Sequence, residues 1–426
     1  MFILFLSLLL YSSAGLAADP LDSPPFPSSD WVGPTPAMDS SIPNERGILQ
    51  NSIFGDSLDK YHIKVYGWVD VGANISTSSQ SNAPMSYNIV PNSVQLDQLG
   101  LRIDKVMDTA SRTNTDWGFR LTGIYGIDYR YTTAQGYFSN QLLQNNNLYG
   151  FDPLEAYVTY YIPGVAQGLV IKAGRYISPA DIEAQTSPDN YMYSHSLMFT
   201  VDAYTYTGVT GTVKLSDNVS ILAGAHGAND MSVFIPSSPV NGQLLIRLDS
   251  NSKNDSLWAG INSLGSNQFT QGHDNLGAYT AVWGHKFNDT FHMQTEGYYQ
   301  WQYNAALGGT CNYGPIYSFG GGGGCGPIIN GLSWSTGFVN YFQMKLNQSN
   351  YLSLRNDYLN DPQGQRTGYA TSYYSATFGL THHLTKNVML RPEVRYERSL
   401  APGVTPYNNG TAVDQTTISA DIIFKF

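Results

Sequence analysis

Charge is scarce in this chain. Lys, Arg, Asp and Glu make up only 13% of its 426 residues, about half the usual share. With 22 basic against 32 acidic residues, a net charge of -10 and no basic block, nucleic acid is excluded as a partner. Cysteine is scarcer still. Two residues, Cys311 and Cys325, exclude a disulfide-built scaffold or a thiolate metal cluster. They flank a glycine run at 320–324 in one loop, so in an oxidising compartment they read as a disulfide. Long hydrophobic stretches are missing too: no segment approaches 18 consecutive apolar residues, which excludes a transmembrane helix. The mean hydropathy of -0.23 looks soluble, but a strand with one polar and one apolar face averages out on any such scale. Disorder is excluded by 13% aromatic residues, 31 of them Tyr, set in β-rich runs.

The first eighteen residues differ from the rest. Phe2 to Leu10 is a compact apolar run followed by Ser12, Ser13 and Gly15-Leu16-Ala17-Ala18. This pattern predicts a cleavable export signal over 1–18, although its start carries no Lys or Arg. Residues 19–60 contain Pro20, Pro24, Pro25, Pro27, Pro34, Pro36 and Pro43. They predict an irregular N-terminal segment or a plug strand inside a pore. From Tyr61 to Phe426 the chain becomes a series of alternating runs.

The clearest of these runs is the last. Ile418, Ala420, Ile422, Phe424 and Phe426 fall on one face, and Ser419, Asp421, Ile423 and Lys425 on the other, because strand side chains alternate with period two. An apolar face one strand long that ends on an aromatic suits a strand in lipid. The connections agree. Residues 163–168, 216–218, 288–290, 347–350 and 385–387 are short and rich in Asn, Asp, Gly or Pro, and 251–255 and the longer 108–116 resemble them. Between them lie long polar connections at about 73–92, 132–153, 178–198, 228–242, 266–275, 304–332, 360–370 and 399–413. Alternation of short and long is the asymmetry of short periplasmic turns and long extracellular loops. The predicted fold is an all-β, transmembrane, antiparallel up-and-down β-barrel of about sixteen strands. The count is fourteen if the hairpin of 243–249 and 257–265 is loop instead.

Charges facing lipid cost several kcal/mol near the midplane, roughly 2–4 for Arg or Lys, so charged strand faces must look inward. This assigns Arg102, Asp104, Arg120, Arg130, Arg355, Asp357, Arg391, Glu393, Arg395 and Glu397 to the lumen, with Asp128 beside Arg130. They either line a pore and select its solutes or form ion pairs that hold the wall. The third long loop carries Asp181, Glu183, Asp189 and His195. Folded into the barrel, its carboxylates would face wall arginines across a constriction; otherwise it is a solvated external loop. Tyr66, Trp68, Tyr125, Tyr129, Tyr160, Trp283 and Tyr299 read as interface anchors or lumen hydrogen-bonders. Catalytic patterns are thin. His292 and Glu296 share a strand face but are too few for a metal site, and His382 and His383 point to opposite sides. No enzyme, metal or cofactor is expected.

Glu155-Ala156-Tyr157-Val158, Ile171-Lys172-Ala173-Gly174-Arg175, Glu183, Asn190 through Ser194, Thr207-Gly208-Val209 and Arg391-Pro392-Glu393-Val394-Arg395-Tyr396 occur in one order. Together they resemble the OmpL-like β-barrel porin family of Gram-negative bacteria, the porin-2 type, over about 61–426. The resemblance implies an outer-membrane channel and supplies no catalytic residues. The expectation is a porin that passes small hydrophilic solutes by passive diffusion. Its surroundings would be outer-membrane lipid and lipopolysaccharide, and its assembly a homotrimer or a monomer. The rival readings are a closed structural or adhesive barrel that works through its loops, and an outer-membrane enzyme.

Overall fold

A computed structural model of the chain describes residues 46–426 apart from 53, 86, 110, 180, 237, 253, 266–275 and 309–326. The expected signal segment, most of the Pro-rich segment and the Cys311–Cys325 pair lie outside the described residues. Sixteen strands follow. They are β1 (Ile63–Ser76), β2 (Val94–Lys105), β3 (Asp116–Gly126), β4 (Gly150–Ile162), β5 (Leu169–Ile177) and β6 (Thr205–Lys214). Next come β7 (Val219–His226), β8 (Asn241–Asp249), β9 (Asp255–Leu264), β10 (Gly277–Asn288) and β11 (Phe291–Tyr303). The last are β12 (Leu332–Lys345), β13 (Asn350–Asp361), β14 (Thr371–His383), β15 (Val388–Ser399) and β16 (Asp414–Lys425). Each pairs antiparallel with its neighbours in sequence, and β1 pairs with β16 to close the barrel. The hairpin on which the strand count hinged is present as β8 and β9, with one register irregularity at Gly242 and Leu244.

Closure needs a matched seam. Trp68 lies opposite Lys425 and Ser76 opposite Thr417. At its end, Gly67 N donates to Phe426 O and Phe426 N to Gly67 O, both at 2.9 Å. Along β16, Ile418, Ile422 and Phe424 are exposed to the outside, while Ser419, Asp421 and Ile423 are buried within. Of the candidate anchors, Tyr125, Tyr160, Trp283 and Tyr299 are exposed on the outer surface. Tyr66 and Trp68 point inward, where Tyr66 donates to Asp104 at 2.6 Å and Trp68 to Gln98 at 3.0 Å. Two prolines sit inside strands where the ladder gives way. Pro153 of β4 falls at a register shift opposite β3, and Pro392 of β15 at a gap in the pairing with β14, because proline has no N–H to donate.

Two expectations need correction. The end of the Pro-rich segment is neither irregular nor a plug strand: Ile48–Ser52 and Gly55–Lys60 are short helices. Between Pro43 and Pro84 the chain carries no proline to interrupt helical hydrogen bonds, and Arg46 clasps Asp59 and Asp56. Arg130 does not lie on a wall strand. β3 ends at Gly126, and Arg130 belongs to a helical turn, Tyr129–Thr132, in the second long connection. There its guanidinium donates to Asn147 O at 2.7 Å and Asn146 Oδ1 at 2.8 Å.

The lipid-facing assignment can be measured. Ile418→Arg should destabilise the refolded barrel in bilayers by about 2–4 kcal/mol, read from denaturant titration. A cost below 1 kcal/mol would contradict an outward Ile418.

Candidate functional site: the inserted loop and the charged wall

The third long connection, residues 178–204, runs inside the barrel, and its described residues are buried almost throughout. Local chemistry shapes it first. Asn190 accepts from Ala184 N at 2.8 Å and donates back to Ala184 O and Thr186 O. Ser196 caps the short helix Leu197–Thr200 by accepting from Phe199 N at 3.0 Å. Glu183 accepts from Ser196 N at 2.8 Å and from Tyr341 OH at 2.8 Å. His195 stacks on Tyr87 with centroids 3.9 Å apart, and burial pushes its ring down to about 3, so it stays neutral.

The wall then holds the loop by its main chain. Arg391 Nη1 donates to Ser187 O and Asn190 O, both at 2.9 Å. Arg355 donates to Ser194 O and Arg395 to His195 O. Gln98 Nε2 donates to Gln185 O at 2.7 Å, and Thr381 Oγ1 to Tyr191 O at 2.8 Å. Wall carboxylates take the amides: Glu296 accepts from Ile182 N, Glu393 from Ser194 N and Asp357 from Leu197 N. The loop also packs apolar side chains, Ile182, Met192, Leu197, Met198 and Val201, against Leu222, Leu245, Trp258, Val282 and Val339 of the inner wall. Polar bonds set its register, and apolar burial gives it a face to rest on.

The inward charges come in pairs. Arg120 lies 2.7 Å from Asp104, Arg102 3.1 Å from Glu155, Arg395 2.6 Å from Glu397 and Arg355 3.4 Å from Asp357. Arg391 clasps Asp421. All these arginines are at most 2% exposed, so each charge is desolvated and depends on its partner. Among the loop carboxylates, Glu183 faces Arg355 at 3.6 Å and Asp189 faces Arg102 at 3.6 Å. Among the described residues Asp181 pairs with no arginine; it lies beside Glu296 and Asp202, and burial holds its carboxyl above the ordinary range. Burial likewise raises Asp202 to about 6.

Residues absent from the sequence reading of the wall complete it. Arg175 on β5 pairs with Asp152 at 2.8 Å, and Arg366 donates to Val201 O at 2.6 Å. Arg175 and Glu155 stand on alternating strands and were legible by parity; Arg366 lies in a loop and carried no such signal.

The fold and the charged interior define a membrane-spanning β-barrel of the porin class. The family described as "Putative beta-barrel porin-2, OmpL-like" matches residues 62–426, and the chain belongs to it. Among solved structures, an anion-selective porin from Comamonas acidovorans aligns with a TM-score of 0.54 at 12% identity, over 85% of this chain and 99% of that one. The outer membrane channel DcaP of Acinetobacter baumannii aligns with a TM-score of 0.50 at 11% identity, over 85% and 97%. At these identities the likeness is one of fold. A search of curated proteins finds no sequence match.

Removing one wall guanidinium should free the loop. Arg355→Ala leaves Glu183 and Asp357 without their partner, at a local cost of about 3 kcal/mol, or roughly a hundredfold in protection. Hydrogen exchange at the Ser196 and Leu197 amides should accelerate accordingly, while β1–β4 stay protected. Unchanged exchange at those amides would show that the arginine does not hold the loop.

Proposed function

We propose that this porin is an outer-membrane channel for passive diffusion of small hydrophilic solutes, exported with the segment 1–18 as its signal. The observation that carries the reading is the loop 178–204, held within a closed sixteen-strand barrel by side chains from β2, β11, β13, β14 and β15. A loop fixed across the lumen sets the size limit of whatever passes, and charges of both signs along it orient water and polar solutes. On this reading Arg102, Asp104, Arg120, Arg355, Asp357, Arg391, Glu393, Arg395 and Glu397 line the passage, and Glu183 and Asp189 stand at its narrow part. Outer-membrane lipid and lipopolysaccharide are the partners of the outer face.

A second reading has its own support. The wall arginines are buried to 2% or less, which suits a barrel closed at rest that works through its external loops. Conductance separates the two, because a permanently closed barrel gives no steps in a planar bilayer.

Liposome swelling with sugars, amino acids and ions of graded size is the direct test. Small solutes should enter faster than into protein-free liposomes, with a cut-off as size rises. If no solute gains entry, the channel reading fails. Neutralising the loop with Glu183→Gln and Asp189→Asn should shift the reversal potential in a salt gradient toward anions. An unmoved reversal potential would remove these two residues from the ion path.

A further inference from the structure

Three carboxyl groups meet inside the barrel, and among the described residues only Arg366 acts on one of them, Asp202, from beyond ion-pair distance. Asp181 and Asp202 stand near the two ends of the inserted loop, and Glu296 points inward from β11. One oxygen of each lies within 4.8 Å of the others, and their exposures are 2%, 5% and 2%. At several other places the interior answers a buried carboxylate with arginine, as at Asp104, Asp152, Glu155, Glu397 and Asp421. Among the described residues, no Lys or Arg lies within 4.0 Å of a carboxylate oxygen of this trio. Arg366 reaches the same stretch of chain, but its Nε and Nη2 go to the carbonyls of Val201 and Asp202.

The polar contacts at the cluster are few. Ile182 N donates to Glu296 Oε2 at 2.9 Å and Ala203 N to Asp202 Oδ1 at 2.7 Å. No N–H or hydroxyl donor reaches Asp181 Oδ2, and the Asp181 and Glu296 carboxyls lie within hydrogen-bonding reach of each other. A fourth group supplies an independent sign. Gln300, on the inward face of β11 and fully buried, donates through Nε2 to Asp202 Oδ1 at 2.6 Å. That bond fixes its amide against the cluster, yet its Oε1 is buried without a partner. An unpaired buried acceptor is costly, and three carboxylates together are costlier. The surplus is general: among the described residues, sixteen buried Asp and Glu stand against nine buried Arg and Lys.

A cation satisfies all four groups. Every donor is oxygen, the set that hard divalent ions take and soft metals do not. Oxygens up to 4.8 Å apart can both touch an ion at about 2.4 Å, within the calcium range; magnesium, at about 2.1 Å, demands a tighter and more regular cage. We propose that Asp181, Asp202 and Glu296, with the carbonyl oxygen of Gln300, bind one calcium ion that ties both ends of the loop 178–204 to β11. The site depends on the loop's position and not on whether the barrel conducts.

The test uses the whole refolded barrel in detergent, free of lipopolysaccharide and stripped with EDTA. Calorimetric titration with calcium chloride should give one ion per chain, with magnesium at least tenfold weaker. Asp181→Asn with Glu296→Gln should weaken calcium binding at least tenfold, while Asp289→Asn, in an exposed turn, should leave it unchanged. Wild-type protein that takes up no calcium at millimolar concentration, or equal binding by the paired variant, would overturn the proposal. Should the paired variant not fold, hydrogen exchange on the wild type decides. Calcium must slow exchange at the Ile182 and Ala203 amides, and equal rates with and without it reject the site. Liposome swelling reports on the channel alone, so the two readings fail separately.

Discussion

Hydrocarbon offers no hydrogen-bond partner, so every backbone N–H and C=O that crosses it must be paired within the protein. Closure of β1 on β16 is the step that meets this demand, since an open sheet would leave two unpaired edges in lipid. The other features follow from it. Once the sheet is closed, each strand has an outside that must be apolar and an inside that need not be. The charged residues accumulate within, and each connection starts and ends at one of the two rims. Even the strand prolines conform: Pro153 and Pro392 sit at irregularities of one ladder, and Pro392 keeps its place opposite Ala420 in the other.

The inside is then a second folding problem, solved with different forces. A wide cylinder of polar side chains would be hydrated, yet much of this wall is buried, because a long loop lies against it. The loop is fixed by two unlike contacts. Guanidinium and carboxylate groups of the wall hold its main-chain carbonyls and amides, which sets position. Ile182, Met192, Leu197, Met198 and Val201 rest on apolar wall residues, which supplies area. Neither alone would suffice, since isolated buried ion pairs roughly balance their own desolvation and apolar contact carries no register.

Much of this was legible in the amino-acid order, and the reasons are physical. Period-two alternation under a lipid penalty made strand faces readable, so Arg102, Arg355 and Asp421 were assigned inward by parity alone. Loop length separated the two rims. What escaped were features without a period. Arg130 was placed by extending the alternation of β3 past Gly126, where the chain turns helical. The apolar side of the loop 178–204 was not legible because its Ile, Leu and Met residues follow no repeat. Glu296 was set aside for want of ligands beside it in sequence; Asp181 and Asp202 reach it only through the loop's path across the lumen.

The seam has one further consequence, in time and not in space. Ser78 and Gln415 are hydrogen-bonded at 2.8 Å yet lie 337 residues apart in the chain. At a synthesis rate of about 5–20 residues per second, the first strand waits on the order of tens of seconds for its closing partner. Until β16 reaches it in the membrane, β1 carries an open edge, the very feature that invites pairing with another chain. Contacts this distant also make folding slow. A barrel built this way therefore needs its early strands shielded until the last one arrives, and its yield depends on what guards that edge more than on the depth of its final minimum.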